Sequence, residues 1–459
     1  MIQESRIQRL NDRDERGGRF VLYWMQASQR ISFNHALQHA IRQANARRLP
    51  VVVVFGITPR FPEANIRHYR FMLEGLCETS RALAGMGIAM IVLSADPDKA
   101  ALSLADDAAL LIADRGYLRI QKQWRKSVAA KLPCPVIQVE SDVVVPVETA
   151  SGKEEYAAAT IRGKITKRLP AYLVPLREER PEKESIGMRL GGIELADAAD
   201  ALSQFKIRKV AKPASSFRGG ESEAGRLLGD FLNLKLHNFA AFRNDPSLDF
   251  TSHMSPYLHF GQISPLEIAL AVSSQASAGR ENTEAYLEEL IVRRELSMNF
   301  VNYNPDYDSF SCLPKWAATT LSEHCGDERP YVYDLGQLES ARTHDIYWNA
   351  AQMEMVAAGK MSNYMRMYWG KKILEWSPSP EIAYRNALAL NNKYELDGRD
   401  PNSFAGVAWC FGKHDRPWTE RAIFGKVRYM NDSGLQRKFD MESYVEKVES
   451  LLGRKLSRR

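Results

Sequence analysis

Pro50–Ile57 reads PVVVVFGI, and this run decides the fold of the first third of the chain. Four consecutive β-branched valines pack well on a pleated surface, so the run is a strand. It carries no polar residue on either face, which marks a strand buried on both sides. Similar runs recur outward from it: Phe20–Met25 (FVLYWM) before, and Ile88–Leu93 (IAMIVL), Ala109–Ala113 (ALLIA) and Pro135–Val139 (PVIQV) after. Helical patterns separate them, notably Arg67–Ala84 and Leu118–Leu132. Buried strands alternating with helices predict an α/β domain over residues 1–147, a Rossmann-like parallel five-stranded sheet with helices on both faces. Such sheets take ligands at the carboxyl ends of their strands. No G-x-G-x-x-G follows the first strand, which disfavours an ordinary dinucleotide site.

The pattern breaks near Glu148. Residues 148–216 are rich in Lys, Arg, Glu and Pro, with LREERPEKES at 176–185. They read as a long, mostly exposed connector, with a disordered linker the competing reading for part of it on composition alone. Residues 217–459 are helical in character. Ser222–Asn238, Pro265–Ala278, Glu284–Phe300, Ile346–Ala358, Asn363–Trp376 and Pro380–Leu390 have helical length and period. Six of the eight tryptophans lie here, so the chemistry is sought in this half.

The formal net charge is +6, from 62 Lys and Arg against 56 Asp and Glu. That balance suits a polyanionic partner without identifying one. The five cysteines (77, 134, 312, 325 and 410) form no C-x-x-C, which argues against a disulfide framework or a zinc site. The polar N-terminus MIQESRIQRLNDRDERGGRF is no secretory signal, and no apolar run reaches the roughly 20 residues of a membrane span. The expectation is a soluble, intracellular, monomeric protein without a metal.

Three features carry candidate chemistry. Thr251-Ser252-His253-Met254-Ser255 places three hydroxyls before an apolar stretch, a pattern that serves either phosphate binding or plain helix capping. Trp369 and Trp376 are seven apart, so they share one helix face about 10 Å apart along the axis, with Trp348 on a neighbouring segment. Such a set is either a core stripe or an electron path. Tyr394–Asn402 (YELDGRDPN) crowds charges between apolar flanks, beyond what a turn requires.

Taken together, LEELIVRREL (287–296), THDIYWNAAQMEM (343–355), GKMSNYMRMYWGKKILEW (359–376), NNKYELDGRDPN (391–402) and FGKVRYM (424–430) resemble the class II cyclobutane-dimer photolyases. SPYLHFGQIS (255–264) is similar to the wider photolyase–cryptochrome family. The resemblance runs from YWM (23–25) to RKFD (437–440) and is weakest in the connector.

The resemblance implies a helical domain that holds noncovalent FAD, active as the reduced anion, and a substrate of double-stranded DNA carrying cyclobutane pyrimidine dimers. An antenna chromophore, deazaflavin or folate, is a further implied ligand. By the same resemblance, Thr251, Ser252 and Ser255 contact the FAD phosphates, with His253, Met254, Gly398 and Arg399 in the same binding set. Asn391 faces the reactive flavin nitrogen, and Arg366 and Asp397 form a buried pair beside the ring. Trp348, Trp369 and Trp376 carry electrons. Glu289, one helical turn before Arg293, touches the flipped bases, with Glu295 the next carboxylate to consider. Arg293 belongs to the lesion-binding set, Trp409 packs on the dimer, Arg416 and Trp418 enter the gap in the duplex, and Arg428 meets a phosphate. The basic C-terminal tail adds nonspecific attraction or is simply solvated.

The chain departs from the pattern in places. Phe239 replaces a tyrosine that reaches an FAD phosphate, Met361-Ser362-Asn363 replaces M-H-G, and Val292 stands where some relatives stack a tryptophan. The loop from Trp409 to His414 is one residue shorter, and WMQASQR (24–30) replaces W-M-x-R-D-Q-R near the antenna site. Two other classes compete with repair: a cryptochrome-like photoreceptor that signals through a protein, and a light-independent DNA-binding flavoprotein. The short stretch after RKFD and the set Glu289, Trp409, Arg416 and Trp418 favour repair.

Overall fold

A computed structural model describes residues 2–456. Ser457, Arg458 and Arg459 of the basic tail lie outside the described residues. The strands are β1 (Ile7–Arg9), β2 (Phe20–Trp24), β3 (Val51–Gly56), β4 (Ala89–Leu93), β5 (Ala108–Asp114) and β6 (Val136–Val139), in the order β1-β6-β5-β2-β3-β4. The five expected strands form and run parallel. Every residue of β2, β3 and β5 is buried, as their unbroken apolar runs require.

The sixth strand departs from the five-stranded expectation. β1 pairs antiparallel with β6, Ile7 opposite Val139. Its three residues, IQR, contain no apolar run, so neither period nor hydropathy signals it. The neighbouring Arg6 holds it in place: the buried guanidinium donates to the carbonyls of Glu140, Val143 and Val144 at 3.0, 3.0 and 2.6 Å. A short polar strand also blunts the sheet edge against pairing with other chains.

Segment 148–216 is less open than its composition predicts. Helix Ala158–Thr166 buries Ile161 and Ile165 in an apolar cluster with Phe231, Tyr257 and Leu290. The Ser185 hydroxyl donates to the Val51 carbonyl at 2.5 Å and accepts from the Ala89 N–H at 2.8 Å, tying the segment to the sheet.

In the helical half, Ile346–Ala358 and Asn363–Trp376 form as read, and Pro380–Tyr394 runs beyond its expected end. The stretch read as one helix over 284–300 is Arg280–Leu287, a π-turn at Glu288–Arg293, then Arg294–Tyr303. A second π-turn, Phe231–Lys235, interrupts the stretch read over 222–238. A π-turn widens the helix by one residue, which apolar period does not reveal.

Helix Ile66–Gly85 docks its N-terminus on the loop that follows Pro380–Tyr394. Arg67 donates to the carbonyls of Tyr394 and Val356 at 2.5 and 2.6 Å, and His68 Nε2 lies 3.0 Å from the Glu395 carbonyl. Nearer the sheet, Gly261 has φ +66°, and a Cβ there would stand 1.7 Å from the Ala27 carbonyl oxygen. Only glycine lets segment 24–30 cross at that point. These contacts press the carboxyl ends of β2 and β3 against the helical half. Among the described residues, no helix is long and apolar enough to cross a membrane.

Candidate functional site

Helix Asn363–Trp376 and the loop after Tyr394 face each other across buried charges. Arg366 Nη2 lies 3.1 Å from Asp397 and 2.9 Å from Glu395. Glu395 is wholly buried, and burial outweighs Arg366 to push its carboxyl up to about 8. Burial acts the same way on Asp397, but Arg366, the Ser255 hydroxyl and Lys360 outweigh it and hold that carboxyl below its ordinary value. At neutral pH the cluster therefore holds one carboxylate, one protonated carboxyl and one guanidinium. The expected Arg366–Asp397 pair is formed; Glu395 is an addition that the sequence did not single out. Gly398 lets the loop fold tightly, since a Cβ there would lie 2.9 Å from the Asn391 and Glu395 carbonyl oxygens.

Among the described residues, several buried polar atoms in this region lack hydrogen-bond partners, Asn391 Oδ1 and Arg366 Nε among them. Asn391 is 1% exposed and donates Nδ2 to Ser403 Oγ at 2.6 Å and to Asn392 Oδ1 at 3.1 Å. Its Oδ1 has no hydrogen-bond partner among the described residues, nor has Arg366 Nε. Buried polar atoms are seldom left unpaired. The pair suits a ligand that offers an N–H to Asn391 and an electron-rich edge to Arg366.

Thr251, Ser252 and His253 are half-buried in the loop that enters helix Ser255–Phe260. Lys360 donates to His253 Nδ1 at 3.1 Å, and His253 Nε2 donates to Asp249 at 2.7 Å. The charge of Lys360, then burial, holds the imidazole down at about 4, so it is neutral at physiological pH. Met254 buries its side chain beside Tyr257 and Phe260, so only its backbone is free to meet a ligand. Beside Phe239 stands a hydroxyl that sequence reasoning missed. Tyr286 donates to Ser252 Oγ at 2.9 Å, with its ring edge-on to Phe239 at 5.1 Å.

Arg399 is set apart from this group. Its Nη1 lies 2.9 Å from His68 Nε2, and it lines a cavity at the strand ends with Gln26, Gln29, Phe61 and Trp124. That cavity has a volume of about 130 Å³.

Trp348 stacks on Trp369 at 6.4 Å and 6°, and meets Trp376 at 5.7 Å and 66°. All three are buried, and Trp348, in contact with both others, is the middle of the series. Aromatic contact continues from Trp376 to Tyr333 at 5.5 Å and to His344 at 5.1 Å, and His344 stacks on the half-exposed Tyr331.

The motifs around 409, 416 and 428 converge at the surface. The Arg428 guanidinium lies 5.7 Å from the Trp409 ring and 4.9 Å from that of Trp418; Arg416 lies 5.3 Å from Trp418. Lys371, which the sequence did not flag, brings its ammonium within 5.2 Å of the Trp409 ring and donates to the Cys410 carbonyl at 2.5 Å. Burial pulls that ammonium down to about 8.

Glu289 has a different local geometry from the one expected. Within the π-turn Arg293 reaches Glu288, at 3.2 Å, while Glu289 pairs with Arg243 at 2.6 Å. Glu295, the alternative carboxylate, is buried and accepts from the Val144 and Val145 N–H groups, a structural task. Further along the same helix, Ser297 Oγ bonds Asn402 Oδ1 at 3.0 Å, at the start of the helix that carries Trp409.

A mostly parallel α/β domain joined to a helical domain with a buried tryptophan series defines a photolyase–cryptochrome fold. The archaeal photolyase from Sulfolobus tokodaii with two FAD molecules superimposes with a TM-score of 0.71 at 17% identity, over 94% of this chain and 89% of that one. Residues 21–182 match the family model described as DNA photolyase. The chain is 54% identical to a deoxyribodipyrimidine photo-lyase of Methanothermobacter thermautotrophicus over 98% of its own length and all of that protein. It is 41% identical to a protein of the same name from Arabidopsis thaliana, over 94% of this chain and 89% of that one. The chain belongs to the DNA photolyase family.

Proposed function

We propose that this protein is a light-driven repair enzyme that splits cyclobutane pyrimidine dimers in double-stranded DNA back to two pyrimidines. The observation that carries this is the convergence of Arg416, Trp418 and Arg428 on Trp409. Two indoles clamped by guanidinium groups suit a flipped lesion and the gap it leaves; a receptor that signals through a protein has no need of them.

The unpartnered Asn391 Oδ1 and Arg366 Nε fit FAD in its reduced, anionic form, which presents an N–H and a negative ring edge. When bound and excited by light, FAD supplies the electron that opens the cyclobutane ring and receives it back, with no net redox change. Thr251, Ser252 and Ser255 would hold its phosphates, and the His253, Met254 and Gly398 loops would shape the site. Asp397 keeps Arg366 oriented. Trp376, Trp348 and Trp369 would pass electrons inward to keep the cofactor reduced. Glu289 would bond the flipped base edges. Its carboxylate accepts hydrogen bonds, so the base N–H groups would be its partners. Arg293 and Arg428 would hold backbone phosphates, Trp409 would pack on the dimer, and Arg416 with Trp418 would fill the gap in the duplex.

The strand-end cavity suits a second, planar chromophore of the deazaflavin or folate kind. Its walls include Phe61 and Trp124, and the Gln26 amide and Gln29 Oε1 have no hydrogen-bond partner among the described residues. The test of the repair reading is to illuminate the flavin-loaded, reduced protein with duplex DNA carrying one thymine dimer. Loss of dimer in light and not in darkness is expected; an unchanged dimer in light overturns the reading.

A further inference from the structure

A cleft of about 680 Å³ opens between helix Arg119–Lys131, edge strand β1 and the end of helix Arg294–Tyr303. It shares no lining residue with the strand-end cavity. Four cations line it, Arg115, Lys122, Arg125 and Lys126, against one carboxylate, Glu148. Glu148 is already paired with Arg115 at 2.7 Å, and Arg115 also meets the buried Glu140 at 3.2 Å. The other three cations make no ion pair among the described residues. Lys122 donates only to the Asn302 carbonyl, at 2.7 Å. Arg125 is 5% exposed and donates Nε to Gln138 at 2.9 Å and Nη2 to the Gly116 carbonyl at 2.6 Å. Its Nη1 has no partner among the described residues. Burial, then the charges of Arg125 and Arg115, draws the Lys122 ammonium down to about 8. A folded chain seldom crowds like charges in this way unless something of opposite sign offsets them.

We propose that this cleft binds a small polyanion of the diphosphate class. Lys122 and the buried Arg125, neither in an ion pair, together with the exposed Lys126, match a ligand with two or three negative charges, and a single carboxylate would leave most of the excess in place. A planar guanidinium with an unpartnered Nη1, sharing the cleft wall with two lysines, suits tetrahedral phosphate oxygens. The amides of Gln8, Asn11 and Gln138 lie in the same wall and give further polar contacts.

Calorimetric titration of the FAD-loaded protein at low ionic strength tests this, with inorganic pyrophosphate and, separately, ADP. Saturable binding at one site is expected. An anion raises the Lys122 pKa from about 8, so binding above that pH takes up protons, read from the dependence of the heat on buffer ionisation. Lys122→Gln and Lys126→Ala should each weaken binding about tenfold, with the flavin spectrum unchanged. ADP binding more tightly than pyrophosphate would identify a nucleotide as the source of the diphosphate; equal affinities would show that the diphosphate group alone is recognised. Absence of saturable heat, or the same affinity in a Lys122→Gln/Lys126→Ala double variant, would overturn the proposal.

Discussion

Replacing Glu395 with glutamine should remove a loss of stability that the parent protein suffers as pH rises. The ordinary carboxyl value is 4.5, and burial raises Glu395 to about 8. Between those values the folded chain keeps a proton that the unfolded chain has released. Stability therefore falls with rising pH, by about 1.4 kcal/mol per pH unit, and levels off above the folded value. From about pH 6 to beyond pH 8 the loss from this one group is roughly 3 kcal/mol. Glutamine copies the protonated carboxyl and does not titrate. Glu295, which burial also raises to about 8, titrates alike in both proteins and cancels in the difference. The assay is urea unfolding of parent and Glu395→Gln, followed by tryptophan fluorescence. Between about pH 6 and about pH 9 the variant's advantage over the parent is expected to grow by roughly 3 kcal/mol. Parallel pH profiles would refute the reasoning, because Glu395 would then ionise without cost beside Arg366.

Other substitutions probe the rest of the site. Trp348→Phe removes the middle ring of the series and should slow photoreduction of bound flavin strongly while flavin content stays the same; an unchanged rate would make Trp348 a packing residue. Tyr286→Phe deletes the hydroxyl on Ser252 and should weaken FAD retention by about 1 kcal/mol, measured by flavin release on dilution. Arg428→Ala should weaken binding to damaged and undamaged duplex and lower the slope of log affinity against log salt by about one; an unaltered slope would remove Arg428 from the phosphate contacts. Glu289→Ala should keep FAD and nonspecific DNA binding but lose much of its repair yield per photon, with Glu288→Ala close to the parent. Parent-like repair by both variants would take Glu289 out of the reaction.

Strong local signals made the sheet and the tryptophan series legible in the sequence. A run such as PVVVVFGI has one way to bury itself, and a seven-residue spacing fixes two rings on one helix face. Features that depend on distant partners were not legible. β1 exists because Arg6 finds carbonyls more than 130 residues away, and nothing in IQR announces that. The π-turn at Glu288–Arg293 leaves the apolar pattern intact while shifting Glu289 from Arg293 to Arg243. The connector read as open because its charges dominate its composition, yet Ile161, Ile165 and Ser185 anchor it. Tyr286, Glu395 and Lys371 escaped notice because each acquires its role only when packed against another element. The motifs Glu395 and Lys371 lie in, YELDGRD and GKKILEW, were the nearest signal. The Arg366–Asp397 pair and the Arg416, Trp418 and Arg428 group were found through whole-motif resemblance, since single residue types carry no such information.

The central claim is that light absorbed by a flavin in the helical domain drives dimer splitting. The measurement that meets it most directly is an action spectrum: the rate of dimer loss per incident photon, recorded across the near-ultraviolet and blue for the reduced, purified protein. A spectrum that follows the absorption of the bound reduced flavin, with the contribution of any second chromophore added, is the predicted result. Dimer loss that proceeds in darkness, or that follows no absorption band of the protein's own chromophores, would contradict it.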